Sequence, residues 1–343
     1  MLSRAASSVY WLARYVERAE NTARFAEVNQ YLTLDDESPN DQWGALVDAA
    51  GNGALFKELY DRAGSKGTTP ENVLRFLLFD GRNPNSILSC VEQARENART
   101  VREAISNPMW EEIQTMRSLV QDGANDAGVL QRPVAFLTEV RRSSHALFGV
   151  TNTTLLHDEG FHFAKMGRTL ERADMTTRIL DVKYFMLLPN GREDVGTPID
   201  TIHWAALLKS ASALQMYRQR HGRIAPKRVA AFLLLDKDFP RSVRFCLNEA
   251  ERSMHAVTGT PLGDFRSRPE QLAGRLRSDL EFTRIEEILK RGLHEEIDRL
   301  QVDIGEIGAA IAERFFAVRS NRPAARQSQS QSRGRQTQSQ SSA

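Results

Sequence analysis

Apolar residues recur every three to four positions along most of the chain, and the two-residue alternation of a half-buried strand is scarce. Residues 8–32 place Leu12, Tyr15, Val16, Ala19, Ala23 and Ala26 on one stripe of a helix. Long charged amphipathic stretches fill 133–156, 162–187 and 269–318. Asn83-Pro84 reads as an N-cap followed by proline in the first turn, which predicts a helix over 84–106. Pro240 predicts a second such helix over 240–258. Pro189-Asn190-Gly191 and Thr258-Gly259 read as helix breaks. The pattern predicts an all-α fold, either two helical bundles or one large bundle.

The pattern also repeats. Residues 14–24 and 168–178 share R-x-x-E-R-A-(E/D)-x-T-x-R, at an offset of 154. Further on, Pro70, Val73, Phe76, Leu77, Leu78, Asp80, Pro84, Ser86, Cys90 and Ala94 match Pro226, Val229, Phe232, Leu233, Leu234, Asp236, Pro240, Ser242, Cys246 and Ala250, at an offset of 156. Two motifs in the same order at nearly one offset predict an internally duplicated bundle with a pseudo-two-fold repeat. The expected boundaries are 1–154 for the first copy, 155–319 for the second and 320–343 for a tail.

The repeated helix carries an unusual charge pattern. At about 100° per residue, Arg14, Glu17, Arg18, Asn21 and Arg24 fall within one arc of the first helix. Tyr10, Phe25, Val28 and Leu32 project into the same arc. In the second copy Arg168, Glu171, Arg172 and Arg178 share a side with Met175, Ile179 and Val182. Each helix is therefore apolar on both sides, with charges set into one of them. Buried charges must be paired. Local spacing offers Arg14 to Glu17 and Arg168 to Glu171, and leaves Arg18, Arg24, Arg172 and Arg178 to find acceptors. Two readings stay open. The arginines tie helices together, reaching helix carboxyl ends and acids such as Asp80 and Asp236; or surplus guanidinium groups line a cleft for an anionic or peptide ligand.

Composition narrows the classes. The 343 residues hold 46 basic and 44 acidic side chains. The segment 320–343 carries Arg322, Arg326, Arg333 and Arg335, no acid, and alternating Gln and Ser, which predicts a disordered tail. Without those four arginines the rest has 42 basic against 44 acidic residues, a charge of −2. The basic balance thus sits in the tail, and the absence of interleaved aromatic residues there speaks against nucleic acid. The Arg- and Ser-bearing N-terminus resembles a transit peptide, but its pattern recurs internally, so it reads as part of the fold. With no export signal and no apolar run near the roughly 20 residues that span a bilayer, the expectation is a cytoplasmic protein with no membrane contact.

Other constellations are weaker. Glu159-Gly160-Phe161-His162 is an E-x-x-H without the second copy that a di-iron bundle needs, so no metal is expected. His157-Asp158-Glu159 reads as N-terminal capping of the helix that follows. Asp35-Asp36-Glu37 reads as a solvated turn. Cys90 and Cys246 sit in apolar helices and read as small core residues. His145, His203, His221, His255 and His294 do not recur between the copies. No phosphate-binding glycine loop or nucleophile elbow is present, and no cofactor is expected.

The segments YWLARYVERAENTARF, MGRTLERADMTTRIL and FLLLDKDFPRSVRFCLNEAERS resemble the bacterial alpha-E domain family, over nearly the whole chain to about residue 318. That resemblance implies a helical domain with a repeated E-R motif, here Glu17-Arg18 and Glu171-Arg172. It also implies partners: a circularly permuted ATP-grasp protein and a transglutaminase-like protein, in a system that forms peptide or amide bonds. The expected role is an accessory, partner-binding protein. The competing expectation is an enzyme whose composite site uses Glu17 or Glu171 as general base and arginines to hold the substrate.

Overall fold

The computed structural model describes residues 1–32, 43–44, 46–48, 50–61, 67–186 and 198–317, and within them every regular element is a helix. The expectations at Asp35-Asp36-Glu37, Pro189-Asn190-Gly191 and 320–343, and for the side chains of Leu32 and Val182, lie outside the described residues.

Two long helices form the spine. α1 (Ser3–Leu32) begins five residues before the apolar stripe, because Ala5 and Ala6 continue it. After α2 (Gly53–Tyr60), α3 (Pro70–Leu78), α4 (Ile87–Thr100), α5 (Asn107–Asn125), a short α6 (Gly128–Gln131) and α7 (Val134–Thr154), the second long helix is α8 (Glu159–Met186). It lies against α1 and carries the second E-R motif. Asp158 Oδ1 accepts from the backbone N–H of Gly160 at 2.9 Å, so the capping expected of the segment before α8 is present. α8 then packs against α12 (Val243–Thr258) and α15 (Leu293–Ile311). Between them run α9 (Pro198–Ser210), α10 (Leu214–His221), α11 (Pro226–Leu235), α13 (Arg268–Phe282) and α14 (Ile285–Arg291).

Three boundaries correct the sequence reading. The helix expected from Pro84 begins at Ile87, capped by Ser86, whose Oγ accepts from Ser89 N at 3.1 Å. Asn83 instead turns inward and donates from Nδ2 to the Phe76 carbonyl at 3.0 Å. The same holds at Pro240: Ser242 is the cap and the helix starts at Val243. In both places a short turn separates the exposed proline from the cap. The stretch 269–318 is not one helix. It breaks at Thr283-Arg284 and at Gly292, whose φ of +108° is closed to most side chains. After α15 a π-helical turn (Ala312–Phe316) aims Phe315 and Phe316 at Phe163, and Phe316 at Tyr10.

One buried apolar cluster runs from Ala6 to Ile311 and draws on helices from both sides of the 154/155 boundary. At its centre α1 and α8 approach closely. A Cβ on Gly167 would stand 2.3 Å from the Tyr10 carbonyl oxygen, so only glycine lets the two backbones meet there. Two similar turns flank the spine. Gly51 N–H and Asn52 N–H donate to Asp48 O and Val47 O at 2.9 and 3.3 Å; Ser212 N–H and Ala213 N–H donate to Lys209 O and Leu208 O at 2.9 and 2.7 Å. Both central residues have positive φ, +77° at Gly51 and +50° at Ser212.

Candidate functional site

The two E-R motifs meet across the α1–α8 contact. Glu17 and Glu171 are completely buried, at 0% exposure. Their partners are not the arginines three residues back. Glu171 accepts from Arg14 Nε at 2.7 Å, and from Arg18 Nε at 2.6 Å and Nη2 at 3.1 Å. Glu17 accepts from Arg172 Nε and Nη2, both at 2.7 Å. The pairing is crosswise, each helix supplying the arginines for the other's carboxylate. The physical reason is reach: a bidentate fork faces a carboxylate end-on across a close helix pair, which a neighbour on the same helix cannot do. Burial alone would raise the Glu171 pKa, but Arg14 and Arg18 overcome it and bring it down to about 2.

A second layer continues the network along α1. Glu20 accepts from Arg24 Nε at 2.7 Å and from Arg241 Nη2 at 2.8 and 2.6 Å, with His145 Nε2 at 3.0 Å. Burial would push this carboxyl up, yet Arg241 and Arg24 hold it well below the usual range. Arg241 Nη1 also reaches Asn21 Oδ1 at 3.1 Å and Glu17 Oε1 at 3.4 Å. Arg24 closes its own side by donating from Nη1 to Ser212 Oγ. The acids expected to receive these arginines are occupied elsewhere: Asp80 by Arg82 and Tyr60, Asp236 by Arg220.

The other side is less filled. Arg178 donates from Nε to Asp174 Oδ2 at 2.8 Å, and its Nη1 makes no hydrogen bond among the described residues. Arg18 Nη1 donates to Asn85 Oδ1 at 2.7 Å. A cavity of about 150 Å³ opens between these groups and Gly51. Arg168, the counterpart of Arg14, has no carboxylate partner among the described residues. It lies 4.9 Å from the Phe148 ring centroid, its Nε is buried without a partner, and burial followed by Arg172 lowers its pKa. Arg241 occupies the position on Glu17 that Arg168 does not reach.

A family model described as "a predicted alpha-helical domain with a conserved ER motif" matches residues 1–316. The chain belongs to the Alpha-E family. Among its relatives are an uncharacterized protein of Mycobacterium bovis and one of Mycobacterium tuberculosis, each 25% identical over 325 residues, which is 90% of this chain and 35% of the relative. The Alpha-E chain thus spans about a third of the length of these curated relatives. No solved structure matches it.

Several groups in this Alpha-E network were not taken as site residues from the sequence: Glu20, Asn85, Ser212 and Arg241 were not singled out, Asn21 was placed only in the charged arc, and His145 was set aside. Glu20 had a signal, since it falls within the repeated motif. Arg241 and Asn85 fill the variable place of the second repeated segment, D-x-x-x-P-x-S, where a difference between copies was the only clue. Glu159 of the E-x-x-H pairs with the N-terminal ammonium of Met1. Both cysteines are buried, and desolvation pushes each thiol up to about 12, which leaves them un-ionised. Asp181, His294 and Asp298 gather within 4.8 Å, but the imidazole already faces a carboxylate on each nitrogen, at 2.8 and 3.5 Å. The hydrogen bond to Asp181 raises the His294 pKa, and the contact ties α8 to α15. No helix among the described residues is long and apolar enough to cross a membrane.

Proposed function

We propose that this chain is an accessory, partner-binding protein of the cytoplasm, serving a system in which a circularly permuted ATP-grasp protein forms peptide or amide bonds beside a transglutaminase-like protein. It is built from two copies of one unit of about 155 residues, related by a pseudo-two-fold. The E-R motif is its framework, and ligand contact falls to the arginine edges that the framework leaves over.

The observation that carries this reading is the crosswise enclosure of both signature carboxylates. A general base needs a pKa near working pH and a path to the proton it removes. Glu171 is held near 2 by two guanidinium groups and has no exposed surface, and Glu17 is equally buried. The composite-site enzyme therefore has less support than the accessory role. The relatives lend support of a second kind, because about two thirds of their length lies outside the match and leaves room for a further activity on the same polypeptide.

The test is co-expression with a circularly permuted ATP-grasp protein. The expected result is a complex that survives size-exclusion chromatography and an ATP turnover that rises when the chain is added. Absence of a complex together with unchanged turnover would remove the proposal. Hydrolysis or ligation by the chain alone, lost in Glu17→Gln, would establish the enzyme instead.

A further inference from the structure

We propose that the cleft between the Gly51 turn, Asn85 and the Asp174–Arg178 face of α8 binds an α-amino carboxylate: a free amino acid or the carboxyl-terminal residue of a peptide. This rests on the ligand-binding half of the function proposed above and is independent of the ATP-grasp partnership.

The two sides of the spine are built alike and finished differently. On the Ser212 side, protein groups fill the space. Ser212 Oγ accepts from Arg24, Arg241 lies bidentate on Glu20, and His145 adds a third contact. On the Gly51 side the corresponding places hold smaller groups. Gly51 stands where the other turn has Ser212, and Asn85 stands where the repeated segment has Arg241. What remains is the cavity of about 150 Å³ lined by Arg18, Thr22, Gly51, Asn85, Asp174 and Arg178 among others. At roughly 30 Å³ of liquid per water, that is room for several waters, or for a group of about six heavy atoms.

The polar groups there define the occupant. Arg18 uses three of its five N–H groups, on Glu171 and Asn85, and each terminal nitrogen keeps one more. Arg178 Nη1 has no hydrogen bond among the described residues, while its Nε is fixed by Asp174. Gly51 allows this placement, since a Cβ there would lie 2.8 Å from Arg178 Nη1. Two guanidinium edges with unspent donors call for a carboxylate. Among the described residues the Asp174 carboxylate, at 14% exposure, is paired only with Arg178, and its remaining lone pairs call for an N–H. A carboxylate and an N–H on adjoining atoms are the two ends of an α-amino acid.

The full-length chain is titrated calorimetrically with L-alanine, Ala-Ala, Ala-Ala amide and inorganic phosphate. The expected result is saturable binding of L-alanine or Ala-Ala and at least about tenfold weaker binding of the amide. The stronger of the first two tells a free amino acid from a peptide end. Asn85→Arg, which copies the filled side, should lower affinity at least about tenfold without lowering Tm. Arg178→Gln gives the same readout should Asn85→Arg fail to fold. The proposal is overturned if no probe binds up to about 10 mM, if the amide or phosphate binds as well as the acid, or if the folded variants bind unchanged. Co-purification with the ATP-grasp protein needs none of these probes, so either reading can fail alone.

Discussion

Glu171 meets Arg14 and Arg18, Glu17 meets Arg172 and Arg241, and neither carboxylate has a route to water. Removing one member of such a set leaves buried charge uncompensated, at a cost of about 3–5 kcal/mol. Glu171→Gln should therefore lower the unfolding free energy by that order in urea titrations at pH 7. The loss should depend on pH. The folded-state pKa of Glu171 is near 2 against an ordinary 4.5, so its contribution is complete above about 4.5 and disappears as pH falls toward 2. The gap between wild type and Glu171→Gln should close over that window, and a gap constant from pH 7 to 2 would refute the assignment. At this scale the sequence revealed which residues are charged inside an apolar surface, but not whom they touch. Helical spacing names neighbours on one helix only. The choice of Arg172 over Arg14 for Glu17 depends on the register between two helices, which no local pattern carries.

Along the elements, helix class and most extents were legible because the 3.6-residue period runs uninterrupted through α1, α7 and α8. Starts near prolines were not. Pro84 and Pro240 each open a turn, and the buried serine two residues later supplies the cap. The signal for a cap was present in Ser86 and Ser242, but Asn83-Pro84 offered the same chemistry sooner. Gly167 was likewise passed over, although it sets how closely α8 can lie on α1. Gly167→Ala should cost about 1–3 kcal/mol by forcing the two backbones apart, despite the better helix propensity of alanine. A melting temperature equal to or above wild type would show that the crossing is more pliable than the 2.3 Å approach implies.

At the scale of the whole molecule, the repeat in the sequence led to a choice between two bundles and one. The apolar cluster from Ala6 to Ile311 is continuous, and among the described residues Arg14, Glu17 and Arg18 of α1 meet opposite charges only beyond position 154. Residues 1–156 expressed alone should accordingly show helical circular dichroism without a cooperative urea transition. A sigmoidal transition with native-like aromatic signals would mean that the half is self-sufficient. The crosswise pairing also sets an order in time. α1 is the first helix to be synthesised, yet the arginines that complete it come from positions 172 and 241. Arg14 and Arg18 have no Glu171 until about half of the chain exists, and Glu17 and Glu20 have no Arg241 until about 70% of it does. The oldest part of the nascent protein is therefore the part that must wait longest, solvated and unpacked, for the fold to close around it.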